Sequence, residues 1–288
     1  MPQLRRNVIP GFKLSLGYTL FYLCLIVLIP LSALAIKSTQ LSWHEFKATL
    51  TDPFIISAFK LSLGASIIAA LINGVFGLIV AWVLVRYRFP GRKIFDAIID
   101  LPFALPTAVA GITFAAVFAD LPILGNMGEI VPPSWYPAWL VPDRDWLAIT
   151  LMLVFVGLPF VIRTVQPVLQ DWDTDVEQAA MSLGAKPVTI FRRIIFPVLF
   201  PAWISGVALA FARCVGEYGS VIFVSRNIPG ASQIVPQIII QKLVEPTDAN
   251  GVSGVAHATT VGLVLLLISL SILLVLNTID YLSRRHER

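Results

Sequence analysis

Long uninterrupted runs of apolar residues dominate the chain, and three of them contain no charged side chain. These three runs cover 14–36, 61–85 and 255–279, which is 23, 25 and 25 residues. A bilayer core about 30 Å thick needs about 20 helical residues to cross it, so each run predicts a transmembrane helix. The alternation of apolar and polar residues that is typical of a membrane β-barrel does not occur in these runs.

Three further apolar runs contain prolines or a few charges and predict less regular spans, at 95–118, 146–166 and 197–224. Pro102 and Pro106 lie inside the first of these, so we expect a kinked helix there. Arg163 lies near the end of the second, and Arg213 and Glu217 interrupt the third. With all six spans the chain is predicted to be an all-α, polytopic membrane protein.

Composition supports this class and excludes others. Hydrophobic residues make up 57% of the chain and charged residues 13%, and the mean hydropathy is +0.83. Soluble domains have about 25% charged residues, so a soluble enzyme and a disordered regulator are both excluded. Cys24 and Cys214 lie in apolar runs and form neither metal-ligand spacing nor a disulfide framework. No basic patch alternates with aromatic residues, so we expect no nucleic-acid partner.

Basic residues predict the orientation, because loops on the cytoplasmic side carry an excess of Lys and Arg. With both termini cytoplasmic, the inner segments hold 13 basic residues and the outer segments five. We therefore predict a cytoplasmic N-terminus at 1–13, a membrane domain at 14–282 and a cytoplasmic C-terminus at 283–288.

Two outer loops differ from the inner ones. The loop Asp120–Asp145 has five prolines together with Trp135, Tyr136 and Trp139. This composition favours an interfacial membrane anchor, with a docking surface for an external partner as the alternative. The loop 226–254 contains a spaced set of apolar residues that predicts a short amphipathic helix at the interface.

The inner segment 170–196 has a pattern of its own. Acidic residues at its start suit a helix N-terminus, with Asp173, Thr174 and Asp175 as candidate N-caps. Gln178-Ala179-Ala180 favours a helix, and Gly184 lies where a left-handed residue would end it. The residues alone allow a connector on the membrane surface and, equally, a short plug for a groove on another protein.

The spacing in this segment resembles the cytoplasmic signature of ABC importer permeases, which is EAA, three residues, Gly, nine residues, Ile, any residue and Leu-Pro. Gln178 stands where Glu is usual, with Glu177 before it, and Phe196 replaces Leu. The resemblance implies that residues 170–196, which we call the signature segment, form a coupling loop to a cytosolic ATPase. The implied coupling residues are Glu177, Gln178, Ala179, Ala180, Gly184, Ile194 and Pro197.

A second resemblance narrows the family. Residues 206–224 contain Arg213-x-x-Gly-Glu-Tyr-Gly, which is similar to the fifth helix of sulfate and molybdate permeases. Together with Asn227–Gly230 and the chain length, this resembles sulfate/thiosulfate permease subunits. The resemblance implies a type I ABC importer permease fold and a bacterial inner membrane location, with a plastid membrane of bacterial descent left open. The implied partners are an ATPase dimer of the CysA type, a second and non-identical permease of the CysW type, and a periplasmic sulfate/thiosulfate-binding protein.

The chain itself offers no catalytic chemistry. It has no G-x-x-x-x-G-K-[ST] phosphate loop, so ATP and Mg²⁺ are expected to serve the partner ATPase, and this chain is expected to bind no cofactor or metal. Arg213 and Glu217 are the main charges within a predicted span. They could form an ion pair that fixes helix packing, or Arg213 could line the anion route while Glu217 orients it or closes a gate. Gly206, Gly216 and Gly219 are expected to allow close helix contact.

The remaining polar residues in apolar surroundings are expected to have structural roles. We predict that Asn73 and His257 are interhelical hydrogen-bond partners rather than ligands. Near the inner membrane interface, we predict local ion pairs of Asp96 and Asp100 with Arg92 and Lys93.

Three other functions stay open. The first is transport of another oxyanion such as molybdate, tungstate or phosphate. The second is an ion-coupled carrier or channel that uses Arg213 and Glu217 without any ATPase. The third is an intramembrane enzyme, which is disfavoured because no pair of nucleophile and base stands out.

Overall fold

A computed structural model describes residues 12–120, 144–247 and 253–285, and in these ranges the regular structure is helical, with no strand. In chain order the elements are α1 (Phe12–Ser38), α2 (Trp43–Thr51), α3 (Pro53–Arg86), α4 (Arg92–Ile99), α5 (Leu101–Ala104), α6 (Thr107–Asp120), α7 (Arg144–Gln170), α8 (Asp175–Ser182), α9 (Pro187–Ile190), a π-helical turn (Phe191–Ile195), α10 (Phe196–Val215), α11 (Val221–Val224), α12 (Val235–Val244) and α13 (Gly254–Arg285). The predicted interfacial loop, with Trp135, Tyr136 and Trp139, lies outside the described residues.

The chain divides into two compact units. One consists of Met1–Leu50 with Ile239–Val264, and the other of Thr51–Ile238 with Leu265–Arg288. The predicted boundaries at residues 13 and 282 do not correspond to this division and stay predictions.

Among the described residues, five helical runs have the length and apolar composition of membrane-crossing helices. They are Phe12–Ser38, Pro53–Arg86, Asp145–Gln170, Pro187–Val215 and Gly254–Leu282. The apolar side chains of α1 are exposed along most of its length, as contact with lipid tails requires. Asp52 caps α3 by accepting a hydrogen bond from the Phe54 amide at 2.8 Å, so α3 begins eight residues before the predicted span.

The predicted helix over 95–118 is wrong as one continuous element. The helical path breaks after Ile99 and again at Leu105, leaving three shorter helices, α4, α5 and α6. Leu105 adopts an extended backbone with ψ 134°, because the ring of the following Pro106 disfavours a helical residue before it. α6 has 14 residues, so the count of six spans stays a prediction.

The predicted fifth span, 197–224, is wrong at both ends. The helical path starts at Pro187, passes through the π-helical turn and continues as α10 to Val215, where Gly216 ends it. Glu217 therefore lies outside the helix. A Cβ placed on Gly216 would meet no side chain within 4 Å, so the expectation that Gly216 allows close helix contact is also wrong.

The core of the second unit is the seam between α3, α7 and α10. Small residues let these helices approach closely. A Cβ on Gly77 would lie 2.8 Å from Val161, and one on Gly206 would lie 2.2 Å from Thr164 Oγ1. The predicted close contact at Gly206 is thus confirmed, as is that at Gly219, where a Cβ would lie 2.4 Å from Thr107 Oγ1.

The first unit contains two local features that the sequence explains. Ser42 and Glu45 form a capping box at the start of α2, with the Ser42 amide donating to Glu45 Oε2 at 2.9 Å and the Glu45 amide to Ser42 Oγ at 3.3 Å. Thr49 Oγ1 lies 2.9 Å from His257 Nδ1, which confirms the predicted interhelical hydrogen bond of His257.

The predicted amphipathic helix in 226–254 is present as α12.

Candidate functional site

The signature segment folds as two short helices joined by a glycine turn. Asp173 accepts a hydrogen bond from the Asp175 amide at 2.9 Å, at the start of α8. Gly184 has φ +82°, the left-handed conformation that ends a helix with little strain only when no Cβ is present. The glycine turn agrees with the sequence prediction. Thr174, one of the candidate N-caps, occupies the N-cap position, but its side chain makes no capping hydrogen bond.

The two helices of the signature segment expose one side and anchor the other. Gln178 and Ala179 are exposed, whereas Ala180 and Ile190 are buried in the core that also contains residues of α3, α7 and α10. The side chain of Leu183 is 88% exposed at the glycine turn. Further exposed apolar side chains on the segment are Val176, Met181 and Val188. Exposed apolar residues beside small ones form a surface that suits a protein partner.

The remaining predicted coupling residues occupy different positions. Ile194 packs against the buried core, and Pro197 lies in the first turn of α10. Glu177 turns away from the exposed side and forms a salt bridge with Arg86 at the end of α3. Sequence reasoning did not find Arg86, because no local pattern connects residues 91 positions apart.

Arg213 and Glu217 form the ion pair that was one of the two hypotheses. Arg213 Nη1 lies 2.6 Å from Glu217 Oε2, and the exposed fractions of the two side chains are 35% and 2%. The other carboxylate oxygen of Glu217 accepts hydrogen bonds from the Ser220 amide at 3.0 Å and from Ser220 Oγ at 2.9 Å. Glu217 is therefore buried and fixed, while the guanidinium of Arg213 is partly exposed.

Asp96 and Asp100 pair with Arg163 of α7, so the prediction that they pair with Arg92 and Lys93 is wrong. Arg163 donates to both Asp100 oxygens at 2.9 and 2.6 Å, and to Asp96 Oδ1 at 2.8 Å. It also donates to the Asp96 backbone carbonyl and to Gln166 Oε1. The planar fork of the guanidinium explains why one arginine satisfies two carboxylates.

The carboxyl group of Asp96 lies in α4, which is not among the candidate spans. Burial raises the pKa of Asp96, but hydrogen bonds from Arg163 and Gln166 and the positive charge of Arg163 outweigh it, so the pKa lies below its ordinary value. Asp96 is therefore negatively charged at neutral pH, as its pairing with Arg163 requires.

Asn73 lies fully buried in the seam, and neither its Oδ1 nor its Nδ2 has a hydrogen-bond partner. The prediction of an interhelical hydrogen bond at Asn73 is wrong, because the facing residue of α7 is Gly157, which offers no side chain. A Cβ on Gly157 would lie 2.4 Å from Asn73 Nδ2. Asn73 thus fills space left by a glycine.

In the part of the chain that the structure describes, no group of three or more His, Cys, Asp or Glu side chains could hold a metal ion. The polar groups of the site are instead ion pairs between helices and the exposed surface of the signature segment. Such a set of groups can bind a partner protein and attract an anion.

Comparisons with known proteins identify the family. Residues 73–287 match the family described as binding-protein-dependent transport system inner membrane component. The "probable sulfate transport system permease protein cysT" of Nephroselmis olivacea is 47% identical over 93% of this chain and 89% of its own length. The sulfate transport system permease protein CysT of Salmonella typhimurium is 43% identical over 93% of this chain and 94% of its own length.

A solved structure shares the fold. A chain in the crystal structure of a bacterial alginate ABC transporter in complex with alginate pentasaccharide-bound periplasmic protein has a TM-score of 0.69 and 16% identity. The match covers 95% of this chain and 94% of that chain. Because the family is a non-catalytic membrane component, ATP hydrolysis belongs to a separate subunit. The chain belongs to the family of binding-protein-dependent transport system inner membrane components, and within it to the CysT sulfate transport permeases.

Proposed function

We propose that this chain is one of two membrane-spanning subunits of an ATP-driven importer that carries sulfate, and also thiosulfate, into the cytoplasm. The observation that carries the proposal is the signature segment, which exposes Gln178, Ala179 and Leu183 beside a left-handed Gly184. The relatives named as sulfate transport permeases support the choice of substrate.

The proposed complex contains an ATPase dimer of the CysA type, which uses ATP and Mg²⁺, and a second permease of the CysW type. A periplasmic sulfate/thiosulfate-binding protein delivers the anion. The chain crosses the bacterial inner membrane six times, with α6 as the third crossing and both termini cytoplasmic. The excess of basic residues in the inner segments supports this orientation.

The proposed mechanism follows the contacts of the signature segment. Closure of the ATPase on ATP would push α8, and the buried Ala180 and Ile190 would pass the movement to the core of α3, α7 and α10. The bundle would then switch between two rigid-body arrangements that open the pathway to opposite sides. Arg213, partly exposed beside the buried Glu217, would attract the divalent anion through its remaining N–H donors without holding it tightly.

A pair of substitutions at Gly184 tests the coupling role. Gly184→Val places a β-branched residue at φ +82°, which strains the turn, whereas Gly184→Asn is tolerated in this conformation. In the reconstituted complex we expect Gly184→Val to lower sulfate uptake at least tenfold per ATP hydrolysed, and Gly184→Asn to retain it. Uptake by Gly184→Val at the wild-type level would contradict the proposal.

A second experiment tests the substrate and the energy source. Cells that lack this subunit are complemented with it, and radiolabelled sulfate uptake is measured in the presence of thiosulfate, molybdate, tungstate or phosphate. We expect competition by thiosulfate and little by the others. Stronger competition by molybdate would make molybdate the substrate, and uptake by the purified chain without ATPase would replace the importer with an ion-coupled carrier.

A further inference from the structure

The signature segment is joined to α3 by an ion pair inside the chain. Arg86, the last residue of α3, donates to Glu177, which lies in the first turn of α8. The exposed fractions of the two side chains are 19% and 18%. A pair that is mostly shielded from water is weakened less by solvent and salt than an exposed one, and α8 and α3 are separated by about ninety residues of sequence.

Arg86 depends on Glu177 for its hydrogen bonding. The guanidinium lies 5.0 Å from the centre of the Trp82 ring, a cation–π contact. Its Nε is buried and has no hydrogen-bond partner. Glu177 is therefore the one hydrogen-bond acceptor of the Arg86 side chain among the described residues, and its removal would leave a mostly buried charge without a partner.

Apolar side chains of the signature segment and α3 also meet beside this pair. An open apolar groove of about 440 Å³ is lined by Leu78, Ile79 and Trp82 of α3 and by three residues of the segment, Pro187, Val188 and Phe191. Across it the Trp82 and Phe191 rings meet edge to face, with centroids 5.4 Å apart. The ion pair adds a directional, charge-assisted contact to this apolar packing.

We infer that Arg86 and Glu177 are positioning residues that fasten the signature segment to α3, so that displacement of α8 moves α3 as well as α7 and α10. This inference rests on the proposed function. α3 has 34 residues and is about 50 Å long, so a movement at its Arg86 end reaches the other end of the bundle. Glu177 thus acts inside this chain, and the neighbouring exposed Gln178 faces the ATPase.

The test measures sulfate uptake per ATP hydrolysed, with the complete complex in proteoliposomes. Arg86→Gln and Glu177→Gln should each lower this ratio about fivefold while the ATPase subunit still copurifies. The reversed pair, Arg86→Glu with Glu177→Arg, should regain most of it. A matched control is Arg88→Gln, which removes an exposed charge two residues from Arg86 and should leave the ratio unchanged.

Several results would overturn the inference. One is that both single variants keep the wild-type ratio of sulfate uptake to ATP hydrolysis. Another is that the reversed pair restores none of the lost uptake per ATP. Loss of the ATPase from Glu177→Gln but not from Arg86→Gln would assign Glu177 to the ATPase interface instead. If Arg86→Gln does not insert into the membrane, the reversed pair is tested for insertion instead. A reversed pair that also fails to insert would overturn the inference. Failure of the proposed function would give a different result, because the wild-type permease would then take up sulfate when the ATPase subunit is left out.

Discussion

Arg163 and Arg213 both lie close to carboxylates, yet their surroundings differ. Arg163 donates hydrogen bonds to both Asp100 oxygens, to the Asp96 side chain and backbone, and to Gln166. Arg213 makes one ion pair, with Glu217, and no second acceptor for its guanidinium lies among the described residues. The two side chains are similarly exposed, at 30% and 35%.

The difference lies in the donors that remain free. A guanidinium has five N–H donors in a planar fork, and the Arg163 cluster occupies nearly all of them with groups of the same chain. Most donors of Arg213 are unoccupied, while its counter-ion Glu217 is buried and fixed by Ser220. The comparison therefore assigns a structural role to Arg163, and Arg213 is the better candidate for contact with a passing anion.

The largest effect is expected at Arg213. Arg213→Gln removes the charge and the donor fork and leaves the buried Glu217 without a cation, so we expect sulfate uptake to fall at least thirtyfold, about 2 kcal/mol. Arg213→Lys, which keeps the charge but not the fork, should lose less. Uptake of radiolabelled sulfate in the complemented strain measures both, after membrane insertion has been verified. Equal uptake by wild type and Arg213→Gln would remove Arg213 from the anion route.

A smaller effect of another kind is expected at Arg163. Arg163→Gln leaves Asp96 and Asp100 without their cation, but both are more than 40% exposed, so solvent limits the cost to about 1 kcal/mol of stability. The thermal melting temperature in detergent should fall, while uptake per folded molecule should stay near wild type. Arg88→Gln, which removes an exposed arginine charge, is the control. A large loss of uptake at unchanged stability would place Arg163 in the transport route. The contrast between a structural Arg163 and an anion-contacting Arg213 would then be wrong.

The sequence predicted local features well, and the reasons are physical. Long apolar runs predicted four helices, although α3 begins eight residues before its predicted span, and the left-handed turn at Gly184 followed from the place of glycine after a helix-forming stretch. These features depend on neighbouring residues. The break at Pro106 was underestimated as a kink, because the ring of Pro106 holds Leu105 in an extended backbone and so separates α5 from α6.

The partners of polar residues could not be predicted in the same way. Asp96 and Asp100 lie close in sequence to Arg92 and Lys93, but tertiary packing brings Arg163 to them from 67 and 63 positions away, respectively. Arg86 and Glu177 are further apart still. The ion pair of Arg213 and Glu217 was one of two hypotheses, and it could be raised from the sequence because the two residues are four positions apart, although Glu217 lies beyond the helix. Sequence separation, more than residue type, decided which pairs could be found.

Asn73 extends the comparison to a polar side chain that has no hydrogen-bond partner at all, and it should give the smallest effect. Asn73→Leu keeps a similar shape beside Gly157 and removes a buried amide whose polar atoms are unsatisfied, so stability should rise by up to about 1 kcal/mol. Asn73→Ala removes the amide but leaves a cavity, which offsets the gain. Thermal melting of the purified complex compares the two. A lower melting temperature for Asn73→Leu than for wild type would mean that Asn73 is hydrogen-bonded in the membrane. Asn73 would then resemble Arg163, whose polar atoms all have hydrogen-bond partners.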